Sequence, residues 1–269
     1  MPLSRVDIHF ECTRCARCCR DSRLPLTVAE ALVWLDDGRD LQVLCDATPW
    51  PEEPPNDDAQ GQYRRQRSFA AMSGSLPVRI AVILAANLAG ACPNLGPDDL
   101  CRIHARRPLV CRIYPAEVNP FVALVPANKA CPAEAWAKNL PLLQRDGKLM
   151  DSRRIDDLRS LRDASAADVG AKQRLCARLG ISDAALANEG LCATTVDRET
   201  LLRELRLAAA QASAQSPALG WRLVSDRANT ISALSTVEAR CEFARNVGRA
   251  DFEYLSMRRV TAGADSRQP

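Results

Sequence analysis

Aromatic residues make up only 4% of the chain, and 36 basic residues against 33 acidic ones leave a net charge of just +3. Neither a base-stacking surface nor a basic footprint is present, so nucleic acid is not an expected partner. Long apolar runs are lacking too. The most apolar stretch, VRIAVILAANLAGA from Val78 to Ala91, has 14 residues and includes Arg79, short of the roughly 20 that a spanning helix needs. It reads as a buried core element, and no membrane association is expected. The opening MPLSRVDIHFECTRC has no apolar run of signal-peptide length, and a cytoplasmic location is expected. No glycine-rich phosphate loop, fixed-period repeat or sustained heptad occurs. What remains is 269 residues, 47% hydrophobic and 26% charged, enough to bury a core in one large domain or two small ones.

Cysteine, by contrast, is abundant: there are twelve. In a reducing compartment clustered thiols serve metals or redox chemistry more often than structural disulfides. Four of them, Cys12, Cys15, Cys18 and Cys19, fall within eight residues of the stretch FECTRCARCCR. A C-x-x-C spacing directs two sulfurs at one centre, and here it occurs twice in succession. The run begins like a bacterial ferredoxin motif, but its fourth cysteine follows at once and the later Cys-Pro is absent. In extended backbone the adjacent Cys18 and Cys19 would point to opposite sides and serve two sites. Cys92, Cys101, Cys111 and Cys131 lie in turn-like settings rich in Gly, Pro and Arg, where exposed amides can donate to sulfur. Pro108 is expected at the first position of a short helix carrying Cys111, beside Arg106, Arg107 and Arg112. Eight thiols satisfy one four-cysteine centre with some left over, or two such centres. Both a 4Fe–4S cluster, the favoured cofactor, and zinc suit four thiolates. The expected ligands are Cys12, Cys15, Cys18 or Cys19, and at least two of Cys92, Cys101, Cys111 and Cys131. Cys45, Cys176, Cys192 and Cys241 stand alone in helical or strand-like patterns and are assigned to packing.

The fold class expected is α+β and helix-dominated, with a few short strands in a cysteine-rich half and a helical second half. Thr27 and Glu30 have capping-box spacing before a helix that Gly38 ends. LQVLC, FVALVP and GWRLVSD read as strands. RRIDDLRSLRDAS, AADVGAKQRLCARLG, SDAALANEG, VDRETLLRELRLAAAQASAQ and STVEARCEFARNV read as amphipathic helices. The division expected is a metal-binding domain at 1–140, a helical domain or layer at 141–258 and a disordered tail at 259–269.

FECTRCARCC followed by CPNLGPDDLCRIHARRPLVCRIYP resembles the CxxCxxCC family of zinc- or iron-chelating proteins, also known as YkgJ-like cysteine-cluster proteins. The likeness covers roughly residues 8 to 135. The later block of the family pattern is met by Cys92, Leu95, Cys101, Ile103, Arg107, Pro108, Cys111, Arg112 and Pro115. His104 stands where an aromatic is common and Tyr114 where phenylalanine is common; packing or a supporting hydrogen bond is the role expected for His104. The resemblance implies a metal-cluster protein with a protein partner or protein substrate. It also opens two alternatives, a protein-modifying enzyme like the flagellin lysine N-methylases and a metal buffer or sensor. No S-adenosylmethionine loop and no radical C-x-x-x-C-x-x-C spacing accompanies it.

Overall fold

Thr27 starts a helix as its spacing from Glu30 predicts. In the computed structural model, which describes residues 7–211 and 220–257, the Glu30 N–H donates to Thr27 Oγ1 at 3.2 Å and the Thr27 N–H donates back to the Glu30 carboxylate at 3.0 Å. Each satisfies a donor that a helix start leaves without a partner. Before this box lie β1 (Ile8–His9), a 3-10 turn at Arg17–Cys19 and β2 (Arg20–Leu26), and after it comes α1 (Val28–Asp36). Gly38 follows with φ +79°, a conformation that glycine adopts at little cost. The chain continues through β3 (Gln42–Pro49), α2 (Ala59–Arg65), β4 (Phe69–Ser73) and β5 (Leu76–Ala91). A second run of 3-10 turns, at His104–Arg106, Pro126–Asn128 and Ala133–Trp136, is interrupted by α3 (Leu109–Ile113) and ends at β6 (Leu142–Arg145) and β7 (Lys148–Leu149). Then come α4 (Ser152–Ala167), α5 (Val169–Leu179), β8 (Asp183–Leu186), β9 (Gly190–Thr195) and α6 (Arg198–Ala210). Last are β10 (Arg222–Ser225), α7 (Ala228–Thr236), β11 (Cys241–Phe243) and β12 (Phe252–Ser256).

The apolar stretch from Val78 is the body of β5, and its chemistry is that of a strand. Val78, Ile80, Val82 and Leu84 alternate into the core, while Arg79, Ala81 and Ile83 are only partly covered. That period of two, with β-branched residues at most inward positions, suits a pleated surface. β5 pairs antiparallel with β2, β3 and β4. From this hub a nine-stranded sheet spreads in the order β11-β10-β8-β3-β5-β2, with β4 also on β5, and β9 bridging β3 to β12. β10 runs parallel to β8 and β11, and α6 and α7 supply the crossovers that parallel neighbours require. One sheet face is covered by α1, α5, α6 and α7 through Ala31, Leu35, Leu175, Leu201, Leu205 and Leu234. Each large side chain buried there contributes roughly 1.5–3 kcal/mol.

This sheet overturns the expectation of a helix-dominated fold with short strands. The Ala-Leu segments in the second half were the source of the error. SDAALANEG holds β8 and a turn, and STVEARCEFARNV holds the end of α7 and then β11. Alanine's helix propensity is a weak prior. Ala184 and Ala185 are fully buried in a strand that fills the slot between β3 and β10. FVALVP, expected as a strand, is an irregular loop entering the turn at Pro126, with Val122 and Val125 exposed. β8 and β9 pair with β3, so the division expected at 140/141 runs through one sheet. The tail expected at 259–269 lies outside the described residues. Among the described residues no helix is long and apolar enough to cross a membrane.

Candidate metal centre

The register of β2 on β5 places the leading cysteines. Arg20, immediately after Cys19, is the partner of Ala91, immediately before Cys92. The Cys92 N–H donates to the Cys19 carbonyl at 2.8 Å, which fixes the two residues side by side. Past Cys92 the chain doubles back. Leu95 donates to the Cys92 carbonyl at 2.9 Å, Gly96 to Leu100 at 2.9 Å and Arg102 to Asn94 at 2.8 Å, and an isolated bridge joins Leu95 to Cys101. Cys101 is thereby returned to the neighbourhood of Cys92. Asn94 is buried in this turn, and its N–H donates to the Cys92 sulfur. Pro108 caps α3 from just outside instead of occupying its first turn, and the Cys111 N–H donates to the Pro108 carbonyl at 3.0 Å.

A second, smaller core brings Cys131 to the start of the run. Phe10, Leu124, Ala135 and Leu143 pack together with Ile8, Trp136 and Cys131 around the sheet β1-β6-β7. Phe10 donates to the Pro141 carbonyl at 2.9 Å and Glu11 to Ala135 at 3.1 Å, so Cys12 emerges beside the Cys131 loop. Between Cys12 and Cys18 the backbone curls through two left-handed residues, Arg14 at φ +57° and Ala16 at +58°. Non-glycine residues hold that region only at an energetic cost. Cys18 and Cys19 follow on a 3-10 turn, not on the extended backbone expected, and their sulfurs are 4.0 Å apart.

Mutual charge interactions link the eight expected ligands in two overlapping groups. Cys111 faces Cys19, Cys92 and Cys101 closely enough for their charges to interact, and Cys92 likewise faces Cys19 and Cys101. Cys131 faces Cys15 and Cys12. Cys18 joins the two, with Cys19 and Cys111 on one side and Cys12 on the other. Cys12, Cys15 and Cys18 are exposed, the other five are half-buried, and all eight thiols are free. Among the described residues no three Cys, His, Asp or Glu side chains close around one point. The loops therefore gather the donors without completing a coordination shell.

Electrostatics divide the doublet. A hydrogen bond from Cys18 pulls Cys19 down to about 6, helped by Arg107 and Arg20 and opposed by burial, while donating that bond and burial push Cys18 up. Burial, then Cys19, push Cys111 up to about 12. Cys92 and Cys131 are raised chiefly by burial, opposed by the Asn94 N–H and by the Tyr114 hydroxyl respectively. Tyr114 accepts from the Ala130 N–H at 3.0 Å while its hydroxyl hydrogen-bonds Cys131. That contact escapes a sequence reading, in which Tyr114 passes for a packing residue; the one signal was a hydroxyl where phenylalanine is common. His104 is exposed on its 3-10 turn and does not pack, and its protonated form is disfavoured first by Arg107, then by desolvation and Arg14. Cys45, Cys176 and Cys192 are fully buried in the sheet–helix body, and Cys241 packs against it, away from this site.

The donor set fits a thiophilic metal. It is a concentration of thiols with amide, hydroxyl and guanidinium groups placed to offset sulfur charge, the environment that zinc and iron–sulfur centres share. The class so defined is a cysteine-rich chelating domain. Residues 11–132 match the model of the CxxCxxCC family, described as “Putative zinc- or iron-chelating domain”. No curated protein and no solved structure matches the chain.

Proposed function

We propose that the chain binds zinc or iron through two four-thiol sets, Cys19, Cys92, Cys101 and Cys111 in one and Cys12, Cys15, Cys18 and Cys131 in the other. The observation that carries this reading is the two-centred grouping of the eight sulfurs, each group drawn from the leading run and the later block. Two sets also give the doublet a role, since Cys18 interacts with Cys12 as well as with Cys111, which it shares with Cys19. A 4Fe–4S cluster in such a set supplies one-electron chemistry, and zinc a structural cross-link. The protein's own groups do the rest. Arg107 and Arg20 favour the Cys19 thiolate, the Asn94 N–H and the Tyr114 hydroxyl donate to Cys92 and Cys131, and the exposed Cys12, Cys15 and Cys18 are free to close on a metal held by the more buried thiols. Cytoplasmic residence fits this chemistry, because thiols stay reduced there.

The test is purification without oxygen followed by metal analysis and a visible spectrum. Bound iron with broad sulfur-to-iron absorption identifies a cluster, and bound zinc in a colourless protein identifies the cross-link. A metal-free folded protein whose eight thiols all react freely with a thiol reagent would contradict the reading.

A further inference from the structure

Glu30 spends its two carboxylate oxygens on two different helices. Oε2 accepts from the Thr27 N–H and hydroxyl, both at 3.0 Å, completing the box that starts α1. A capping box needs no more than this. Oε1 reaches instead across the molecule to accept from the Leu109 N–H at 2.7 Å, the first residue of α3 and two before Cys111.

The two helices are unequal. α1 is anchored by Ala31, Trp34 and Leu35 in the main core, and its first N–H, from Val28, donates to Asp168 at 2.8 Å. α3 has five residues, of which only Ile113 is buried. So short a helix has little stability of its own and takes its position from what holds it. Its far end is tied to α4 by Arg112 and Asp157 at 3.2 Å. Its near end is tied by Glu30. We infer that Glu30 is a positioning residue for the Cys19, Cys92, Cys101 and Cys111 set, transmitting the fixed position of α1 to the Cys111 sulfur; this rests on the metal-binding reading above.

The alternative role, helix capping alone, is separable by mutation. Thr27→Ala breaks the box at α1 but leaves the bond between Glu30 and Leu109, whereas Glu30→Ala removes both. Cobalt(II) titration of the full chain reads the result, because thiolate-to-cobalt bands count sulfurs and chelator competition gives affinity. Thr27→Ala is expected to match the unaltered protein in bands and affinity. Glu30→Ala is expected to lose band intensity and to bind about tenfold more weakly, as supporting contacts to metal ligands typically do. Leu109→Pro, which deletes the N–H at a position where proline is tolerated, should reproduce the weakening even if Glu30→Ala fails to fold, and should weaken binding more than Leu109→Ala, which loses the side chain but keeps the N–H. Equal bands and affinity for Leu109→Pro and the unaltered protein would overturn the inference alone. Absence of thiolate bands in the unaltered protein, or a Cys111→Ser variant that binds like it, would overturn the metal-binding reading and this inference with it.

Discussion

Cys45 and Cys176 sit at 0% exposure in the core between a nine-stranded sheet and its helices, whereas Cys12, Cys15 and Cys18 stand exposed on a backbone that curls through two left-handed residues. The same side chain serves opposite purposes in the two regions. In the body it is a small apolar filler whose neighbours supply the stability. In the loops only a four-residue buried cluster around Phe10 backs the leading run, and little apolar burial is available to hold eight thiols in place. The body thus folds on hydrophobic burial, and under the proposed function the loop region is the part that a bound metal would tie together.

The largest effect that would separate the regions comes from the body. Leu223 is fully buried in β10, and Leu223→Ala should cost up to about 5 kcal/mol in denaturant unfolding, with metal bound per folded chain unchanged. Next is Cys92→Ser. It should abolish metal binding by its set and remove the stabilisation that metal confers, about 4 kcal/mol when free metal exceeds Kd a thousandfold, while unfolding in metal-free buffer shifts little. Cys176→Ala in the same assay should leave metal content untouched; equal metal loss in both would erase the distinction between the two cysteine classes.

Smaller effects refine each side. Asp46, on β3 in the body, has its carboxyl raised to about 6 by burial, only partly offset by Arg64. The folded form holds this proton more tightly than the unfolded chain, so stability is highest below about pH 4 for this group and falls as pH rises to about 6. Asp46→Asn should therefore gain about 2 kcal/mol relative to the unaltered protein between pH 4 and pH 7, measured by unfolding at each pH; a gain that does not change with pH would refute it. On the loop side, Tyr114→Phe deletes the hydroxyl on Cys131 and should weaken metal binding by about 1 kcal/mol, roughly fivefold, without moving the unfolding midpoint of the metal-free chain.

The start of α1 was legible because its signal is local: Thr27 and Glu30 act within one turn. Pro108 was read one position too far into α3, and the doublet Cys18 and Cys19 as extended where it is a 3-10 turn, because both conformations are set by the surrounding loops. The sheet was less legible. β8 and β11 have four and three residues, too few to display a period, and they are strands because β3 and β10 lie alongside. The grouping of the thiols depends on the β2–β5 register, which places Cys19 at Cys92, and no spacing within the leading run encodes it. Glu30 looked like a capping residue alone, since its second oxygen finds Leu109 only after folding.

Native mass spectrometry of protein purified without oxygen tests the central claim most directly. Two metal centres per chain, reduced to one by Cys101→Ser and separately to one by Cys15→Ser, is the expected result. A chain that carries no metal, or that keeps its full complement after both substitutions together, would contradict it.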